Sequence, residues 1–334
     1  MPKEHDFVDL LKFIGSIMIF AMHTAAFSSY GRVGFIWEMM SRWAVPLFFM
    51  LSSFFLFSAK NGNINRNHIK KYITRISSLY LVWFIYNIPS FVYLHIISNH
   101  SYTIRDLVIV LKKSILSSTF TGSWYLTSSI FCAFAVYILN KKFSTIRVIC
   151  FAFVIQLLCI FTSVYRGILP TQVAALLGYL CFPLNIFGGF FYFSLGLYFA
   201  KHQELVSRIK TKYCIVIMLC SFALYVLEIS LAKHFSIYGM SDQAFSIIPL
   251  SLSIFIIGIR SSIKIKNAKE LRKMSTIVYC AQGNILLAKN AISKFIGIRS
   301  SVTLFICCVF MMSFVIEVVF FLQKKHIRWA KYLT

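Results

Sequence analysis

Charged residues are scarce in this chain of 334 residues: they make up 13% of it, and only ten are Asp or Glu. A soluble domain carries about 25% charged residues, whereas 59% of these residues are hydrophobic and the mean hydropathy is +0.76. This composition excludes an ordinary soluble fold. The chain also lacks a long linker, a low-complexity tract and a convincing internal repeat. We therefore expect a single membrane-embedded domain over residues 1–334.

Cysteines with the spacing of metal ligands are absent as well. The nine cysteines are scattered, and the adjacent Cys307 and Cys308 match no zinc pattern. We interpret them as small apolar packing residues, and we predict no metal site.

Long apolar segments are what the chain does contain. A helix needs roughly 20 apolar residues to cross a bilayer. Ten segments approach that length, at about 8–27, 43–58, 76–97, 123–139, 148–165, 182–200, 213–231, 244–259, 275–292 and 301–322. The fold class that we predict is therefore all-α, a polytopic transmembrane helical bundle of about ten spans.

The placement of the basic residues explains the net charge of +24. With the N-terminus inside, 23 of the 34 Lys and Arg fall on inner loops and ten on outer loops, with Lys12 inside the membrane. This is the positive-inside pattern. It predicts cytoplasmic termini and a multi-pass protein of the cytoplasmic (inner) membrane, and it argues against a nucleic-acid partner.

A polar stripe interrupts the first apolar segment. Lys12 and His23 are eleven residues apart, which places them within about 20° of each other around a helix. Ser16 falls on the same stripe, and Asp9 is spaced to pair with Lys12 at i, i+3. A charge near the bilayer centre costs about 2.5–3.5 kcal/mol, so such a stripe is expected to face something other than lipid.

Two interpretations of this stripe remain open on periodicity alone. In the first, His23 is a catalytic imidazole, because a histidine takes up and releases protons near neutral pH. In the second, Lys12 extends to the headgroups and His23 forms a hydrogen bond to a neighbouring helix. Glu228 and Glu317 are equally open, between a proton or cation path and pairing with a basic residue.

Asp9, Lys12 and His23, followed by the run PLFFMLSSF at residues 46–54, resemble the motifs of the acyltransferase 3 family of membrane acyltransferases. That family carries Asp and Arg or Lys in its first span, followed by His, as Asp9, Lys12 and His23 do here. Its second span has a Pro-Leu-Phe-Phe run that ends in Ser-Gly-Phe, and residues 46–54 read PLFFMLSSF. Weaker matches follow in the expected order over residues 6–290: KKYITRISSLYLVWF (70–84), GSWYL (122–126), YFSLGLYFAK (192–201) and STIVYCAQGNIL (275–286).

Four positions depart from the family pattern. Lys12 stands where Arg is commoner, which keeps the charge but loses bidentate geometry. Ser53 replaces a Gly, so we expect looser helix packing there. Tyr72 replaces the first Arg of a pair whose second member is Arg75, and Gln282 stands where many relatives have a second His, whose role is therefore not carried over.

The resemblance implies transfer of an acyl group, usually acetyl, from cytoplasmic acyl-CoA to a hydroxyl of a cell-envelope or exported polysaccharide. The pattern is most similar to single-domain surface-polysaccharide O-acetyltransferases. Acetyl-CoA or another acyl-CoA is then a donor substrate, with no permanently bound cofactor. The other expected partners are the glycan acceptor, membrane lipid and the glycan-synthesis machinery. The alternatives are a transporter of a glycan or lipid-linked intermediate that transfers no acyl group, and an assembly partner of a synthase.

Nine residues receive roles from this resemblance. His23 is the predicted general base or acyl carrier, with Lys12 orienting the donor and Asp9 holding Lys12. The donor site is assigned to Lys71, Arg75 and Ser16, although topology alone explains most inner basic residues. The acceptor site is assigned to Trp124, Tyr125 and Arg42, the two aromatics being equally consistent with interfacial anchors. His100, Arg105 and Arg166 are further candidates on the predicted outer side.

Overall fold

The computed structural model describes residues 5–58, 66–97, 103–180 and 182–334. Over these ranges the chain is all-helical and contains no strand. The α-helices are α1 (Asp6–His23), α2 (Arg32–Ser41), α3 (Ala44–Ser58), α4 (Arg66–Tyr86), α5 (Ile88–Val92), α6 (Ile104–Leu116), α7 (Trp124–Lys142), α8 (Thr145–Thr162), α9 (Thr171–Tyr179), α10 (Phe190–Lys201), α11 (Gln203–Arg208), α12 (Thr211–His234), α13 (Ile247–Arg260), α14 (Ala268–Cys280), α15 (Gln282–Ile296) and α16 (Ser301–Lys324).

The predicted all-α class is confirmed, and helix lies within each of the ten apolar segments. Four helical stretches of the described residues are long and apolar enough by themselves to cross a membrane: Arg32–Ser58, Thr145–Thr162, Thr211–His234 and Ser301–Lys324. The number of spans and the side of each terminus stay predictions. Two of the predicted segments are each divided by a helix break, between α4 and α5 and between α14 and α15.

The described residues form two compact units. One lies within residues 1–8, 42–76 and 124–264, and the other within residues 9–41, 77–123 and 265–334. The first is built around α3, which packs against α10, while α8 also packs on α10 and α12 packs on α13. The second contains α1 from Asp9 onwards together with α5, α14, α15 and α16.

Close packing of α3 against α10 forms the centre of the first unit. Ser53 is fully buried, and a Cβ at Gly196 of α10 would lie 2.7 Å from the Ser53 Cβ and closer still to the Met50 carbonyl oxygen. The looser packing expected from Ser53 is not found, because Gly196 on the facing helix supplies the space. The PLFF and YFSLGLYFAK segments are thus packing partners.

Gly196→Ala is expected to lower the free energy of unfolding by about 1–3 kcal/mol, because the new methyl group overpacks the α3–α10 contact. The matched control is Gly178→Ala in α9, where an added Cβ meets only the Arg166 guanidinium, at 3.9 Å. There the change removes backbone freedom from the unfolded chain, so stability is expected to hold or rise by up to about 1 kcal/mol. Thermal unfolding of both variants in detergent measures the difference. Equal midpoints would refute the close-packing argument.

The structure gives Glu228 a structural role. Its carboxylate, on α12, accepts hydrogen bonds from the Tyr165 hydroxyl at 2.8 Å and from the backbone N–H groups of Phe245 and Ser246 at 2.9 Å each. These two N–H groups immediately precede α13, where helix donors lack intrahelical partners and negative charge is favoured. Glu228 therefore joins α12 to the start of α13. Glu317 is exposed on α16.

In the second unit the two helix breaks are held together by asparagine side chains. Asn87, between α4 and α5, donates from Nδ2 to the carbonyl oxygens of Trp83 and Cys280, at 2.8 and 2.9 Å. Asn284, near the start of α15, donates to the Tyr86 carbonyl and accepts from the Ser90 N–H. Non-helical backbone at membrane depth is tolerated only where its polar groups are satisfied inside the protein. The breaks are therefore specific structural features of this unit.

Candidate active site

His23 is the last residue of α1, and its ring contacts the first residue of α15. The imidazole Nδ1 lies 2.6 Å from Oε1 of Gln282. Gln282 is fully buried, and an amide oxygen is only an acceptor, so the contact is a hydrogen bond when Nδ1 carries the proton. In this tautomer Nε2 carries the ring's lone pair. The contact matches the expected hydrogen bond to a neighbouring helix, and the role of His23 as a general base or acyl carrier stays a prediction.

Further contacts join α1 to α14 and α15 along their length. The Ser275 hydroxyl donates to the Lys12 carbonyl oxygen at 3.0 Å. The other contacts in the series are Arg272 Nη1 to Asp9 Oδ2 at 3.8 Å, His23 to Gln282, and Lys289 Nζ to the Thr24 carbonyl. Residue numbers rise together on both sides, so the segments run in the same direction. Two segments that are distant in sequence thus build one wall of the site.

The Lys289 contact stabilises the end of α1 next to His23. Thr24 directly follows the helix, and its carbonyl accepts from the Lys289 ammonium group. The last carbonyl groups of a helix lack intrahelical donors, and a cation is favoured there. Gln282 and Lys289 are seven residues apart on α15, and therefore share a face. That face holds the end of α1 in place.

One polar atom beside His23 lacks a partner. Nε2 of Gln282 is buried and forms no hydrogen bond with the described residues. An unmade bond at a buried donor costs about 1–3 kcal/mol.

Three residues of the motif STIVYCAQGNIL (275–286) form hydrogen bonds that account for the motif. Ser275 and Tyr279 are one turn apart on α14, and Gln282 is the first residue of α15, directly after the break at Ala281. Ser275 contacts the Lys12 backbone, Gln282 contacts His23, and the Tyr279 hydroxyl donates to the Gly122 carbonyl at 2.8 Å. This motif therefore positions α1.

The three remaining residues of the α1 stripe occupy different surroundings. Ser16 is fully buried, and its hydroxyl donates to the Phe13 carbonyl at 2.8 Å within the same helix. Asp9 is buried, and its ion-pair partner Arg272 is exposed. Lys12 is half-buried. The proposed role of Ser16 in the donor site stays a prediction, but its proton is already committed to the helix backbone.

Lys71, Arg75, Arg42 and Arg166 belong to the first unit, whereas Arg105 of α6 belongs to the second. Lys71 and Arg75 are one turn apart and exposed on α4. Arg42 forms an ion pair with Asp242. His100 lies outside the described residues.

Trp124 and Tyr125 pack against α3. The Tyr125 hydroxyl forms a hydrogen bond with the Ser52 hydroxyl at 2.9 Å, and its ring centroid lies 4.7 Å from that of Phe49. Trp124 is buried, with its ring centroid 5.8 Å from that of Phe49. The GSWYL and PLFF segments are thus in direct contact within this unit.

Within the described ranges, no three or more His, Cys, Asp or Glu side chains are placed to hold a metal ion.

Gln282 is the site residue that sequence reasoning missed. The departure from His at this position removed the basis for carrying over a family role. The spacing of Ser275, Tyr279 and Gln282 would place them on one face of a continuous helix, but the break at Ala281 puts Gln282 on a separate helix. The contact between Gln282 and His23 joins residues far apart in the chain, and no local sequence pattern predicts it.

Comparison with known proteins places these motifs in a family. A family model described as an acyltransferase domain, Acyl_transf_3, matches residues 5–322. The chain belongs to the acyltransferase 3 family, as its motifs predict. This membership and the apolar helices make it a membrane protein with an acyltransferase domain.

Relatives among curated proteins are distant and longer. One Enterococcus faecalis protein, named amino-acid racemase, is 24% identical over 351 aligned residues, which is 99% of this chain and 48% of that protein. A second protein of the same name and organism is 27% identical over 255 residues, covering 71% of this chain and 34% of that protein. The chain spans less than half the length of either relative. No solved structure matches it.

Proposed function

We propose that this chain is a membrane O-acyltransferase that moves an acetyl or other short acyl group from cytoplasmic acyl-CoA to a hydroxyl of a cell-envelope or exported polysaccharide. The observation that supports this most directly is the His23 imidazole, held at Nδ1 by Gln282 in a member of an acyltransferase family. A histidine in this tautomer has its lone pair on Nε2, which suits both base and nucleophile.

Two balanced routes use this nitrogen. As a general base, Nε2 takes the proton from the acceptor hydroxyl while its oxygen attacks the thioester carbonyl; the C–S bond breaks, and the CoA thiolate takes the proton back from the imidazolium. As an acyl carrier, Nε2 attacks the thioester carbonyl, the C–S bond breaks, and CoA leaves as the thiolate. The acceptor oxygen then attacks the acyl-imidazolium, the C–N bond to Nε2 breaks, and the proton of the acceptor hydroxyl passes to the CoA thiolate. Both routes regenerate neutral His23 and yield one ester and one CoA thiol.

The remaining residues are proposed to bind the two substrates. Lys12 orients the donor or neutralises charge, and Asp9 holds Lys12 in place. Lys71 and Arg75, exposed on one face of α4, suit the CoA phosphates because ammonium and guanidinium groups bind phosphate strongly.

Trp124 and Tyr125 are proposed to stack on a sugar ring of the acceptor, with Arg42 beside them as a polar contact. The racemase name of the relatives belongs to proteins about twice as long, so we do not propose racemisation for this chain. A glycan transporter without acyl transfer is the alternative that the experiment must exclude.

The test uses membrane vesicles that contain the full chain, acetyl-CoA labelled in the acetyl group, and the glycan of the producing strain. We expect label to appear in alkali-labile esters on the glycan, with one CoA thiol released per ester. In the strain itself, loss of the gene should remove polymer acylation while export continues. If polymer export collapsed and acylation of the remaining polymer were unchanged, the transporter alternative would replace this proposal.

A further inference from the structure

We propose that Gln282 is a positioning residue for His23, which holds the ring in the tautomer with its proton on Nδ1 and so makes Nε2 the reacting nitrogen. This inference rests on the proposed function and assigns a role that the family pattern, with His at this position in many relatives, does not supply. It is carried by the 2.6 Å contact between Nδ1 and Oε1 and by the full burial of Gln282.

The first step of the argument is chemical. A neutral imidazole exchanges its proton between two nitrogens unless a neighbour favours one of them. The Gln282 oxygen accepts a hydrogen bond and donates none, so only a ring with its proton on Nδ1 satisfies it. A partner at one nitrogen also fixes the rotation of the ring, as carboxylates and carbonyls do for histidines that bind metals or act in triads.

The second step concerns how Gln282 itself is held. It begins α15 directly after the break at Ala281, and Gly283 follows it. A Cβ at Gly283 would clash with the side chains of Asn87 and Ser90. The absence of a side chain at Gly283 therefore brings the start of α15 against the Asn87 amide, which in turn binds the Cys280 carbonyl. The break is thus anchored on both sides of Gln282.

The third step concerns charge. An amide binds the Nδ1 proton without adding a negative charge beside the imidazole. A carboxylate at the same place would stabilise the imidazolium form. Gln282 therefore supplies an accepting oxygen to His23 without bringing a charge of its own. The buried and unpartnered Nε2 of Gln282 is the cost that accompanies this arrangement.

The experiment compares two variants of the full chain in the vesicle assay with wild type. Gln282→Met keeps the length of the side chain but replaces the amide by a weakly accepting thioether. We expect kcat to fall roughly 10–100-fold, the range seen when the partner that orients a functional histidine is removed, with KM for acetyl-CoA within about twofold because donor binding is untouched. Gln282→Glu keeps the accepting oxygen. It is expected to recover at least about tenfold over Gln282→Met, with the rising limb of kcat/KM shifted to higher pH because a carboxylate favours the imidazolium.

The matched control is Gln156→Met in α8, which removes another buried amide. Gln156 donates to Gln243 at 2.9 Å within the first unit. We expect it to lower the unfolding temperature while its kcat and pH profile match those of wild type. Wild-type kcat in Gln282→Met, or an equal loss in both Met variants with unchanged pH profiles, would overturn the inference. So would a Glu variant no better than the Met variant. If wild type itself transferred no acyl group, the proposed function would fail instead.

Discussion

His23→Ala is expected to lower acyl transfer by about 10²–10⁴-fold, the contribution of a positioned general base, while the protein remains folded in the membrane. If His23 is instead the acyl carrier, the loss is complete, because no covalent intermediate forms. The imidazole is the group at which both proposed routes meet, and the Gln282 contact fixes its orientation. Transfer of labelled acetyl to the glycan measures the effect.

An assay of wild type without the acceptor distinguishes the two routes. Wild type acting through an acyl-imidazole should release about one CoA per chain in a burst and retain the label after acid quenching, whereas a general base should give neither. His234→Ala at the exposed end of α12 is the matched control and should act as wild type. Normal polymer acylation by His23→Ala would remove His23 from the mechanism.

Lys12→Ala should reduce transfer by roughly 10²-fold, comparable to removing one preorganised charge donor, whereas Lys12→Arg should retain activity within about tenfold because the charge is kept. Lys12 is half-buried on α1, three residues after Asp9. Its backbone carbonyl accepts a hydrogen bond from the Ser275 hydroxyl. Initial rates at several acetyl-CoA concentrations separate an effect on KM from one on kcat.

The control for the loss of one positive charge is Lys212→Ala, an exposed lysine at the start of α12. It should leave transfer unchanged. Equal losses in Lys12→Ala and Lys12→Arg would show that the shape of the lysine side chain, and not its charge, is what matters. The resemblance to relatives with Arg at this position would then be misleading.

The all-α class and the helical segments could be predicted because apolar length is a local property. The break at Ala281 could not, because no proline marks it, whereas Pro89, two residues after Asn87, is a local signal for the other break. Long-range hydrogen bonds from Asn87 to Cys280 and from Asn284 to Tyr86 hold the two breaks together. In the same way, Ser53 suggested loose packing only because its partner, Gly196, is 143 residues further along the chain.

The part of the candidate site that lies on α1 could be predicted from helical periodicity. The spacing of Lys12 and His23 and the motif in residues 46–54 predicted which helix carries the candidate site. The partner of His23 was hidden because Gln282 is an ordinary polar residue next to a glycine in an apolar segment. Only the fold brings two residues 259 positions apart to hydrogen-bond distance.

That separation has a consequence for how the protein is made. His23 leaves the ribosome among the first residues, but its hydrogen bond to Gln282 forms only after α15 has been made. Contacts of such sequence separation form late, after a large loop has been closed. A nascent or truncated chain that ends before Gln282 therefore lacks this contact. On the proposed mechanism, we expect acyl transfer to begin only once α15 has been inserted.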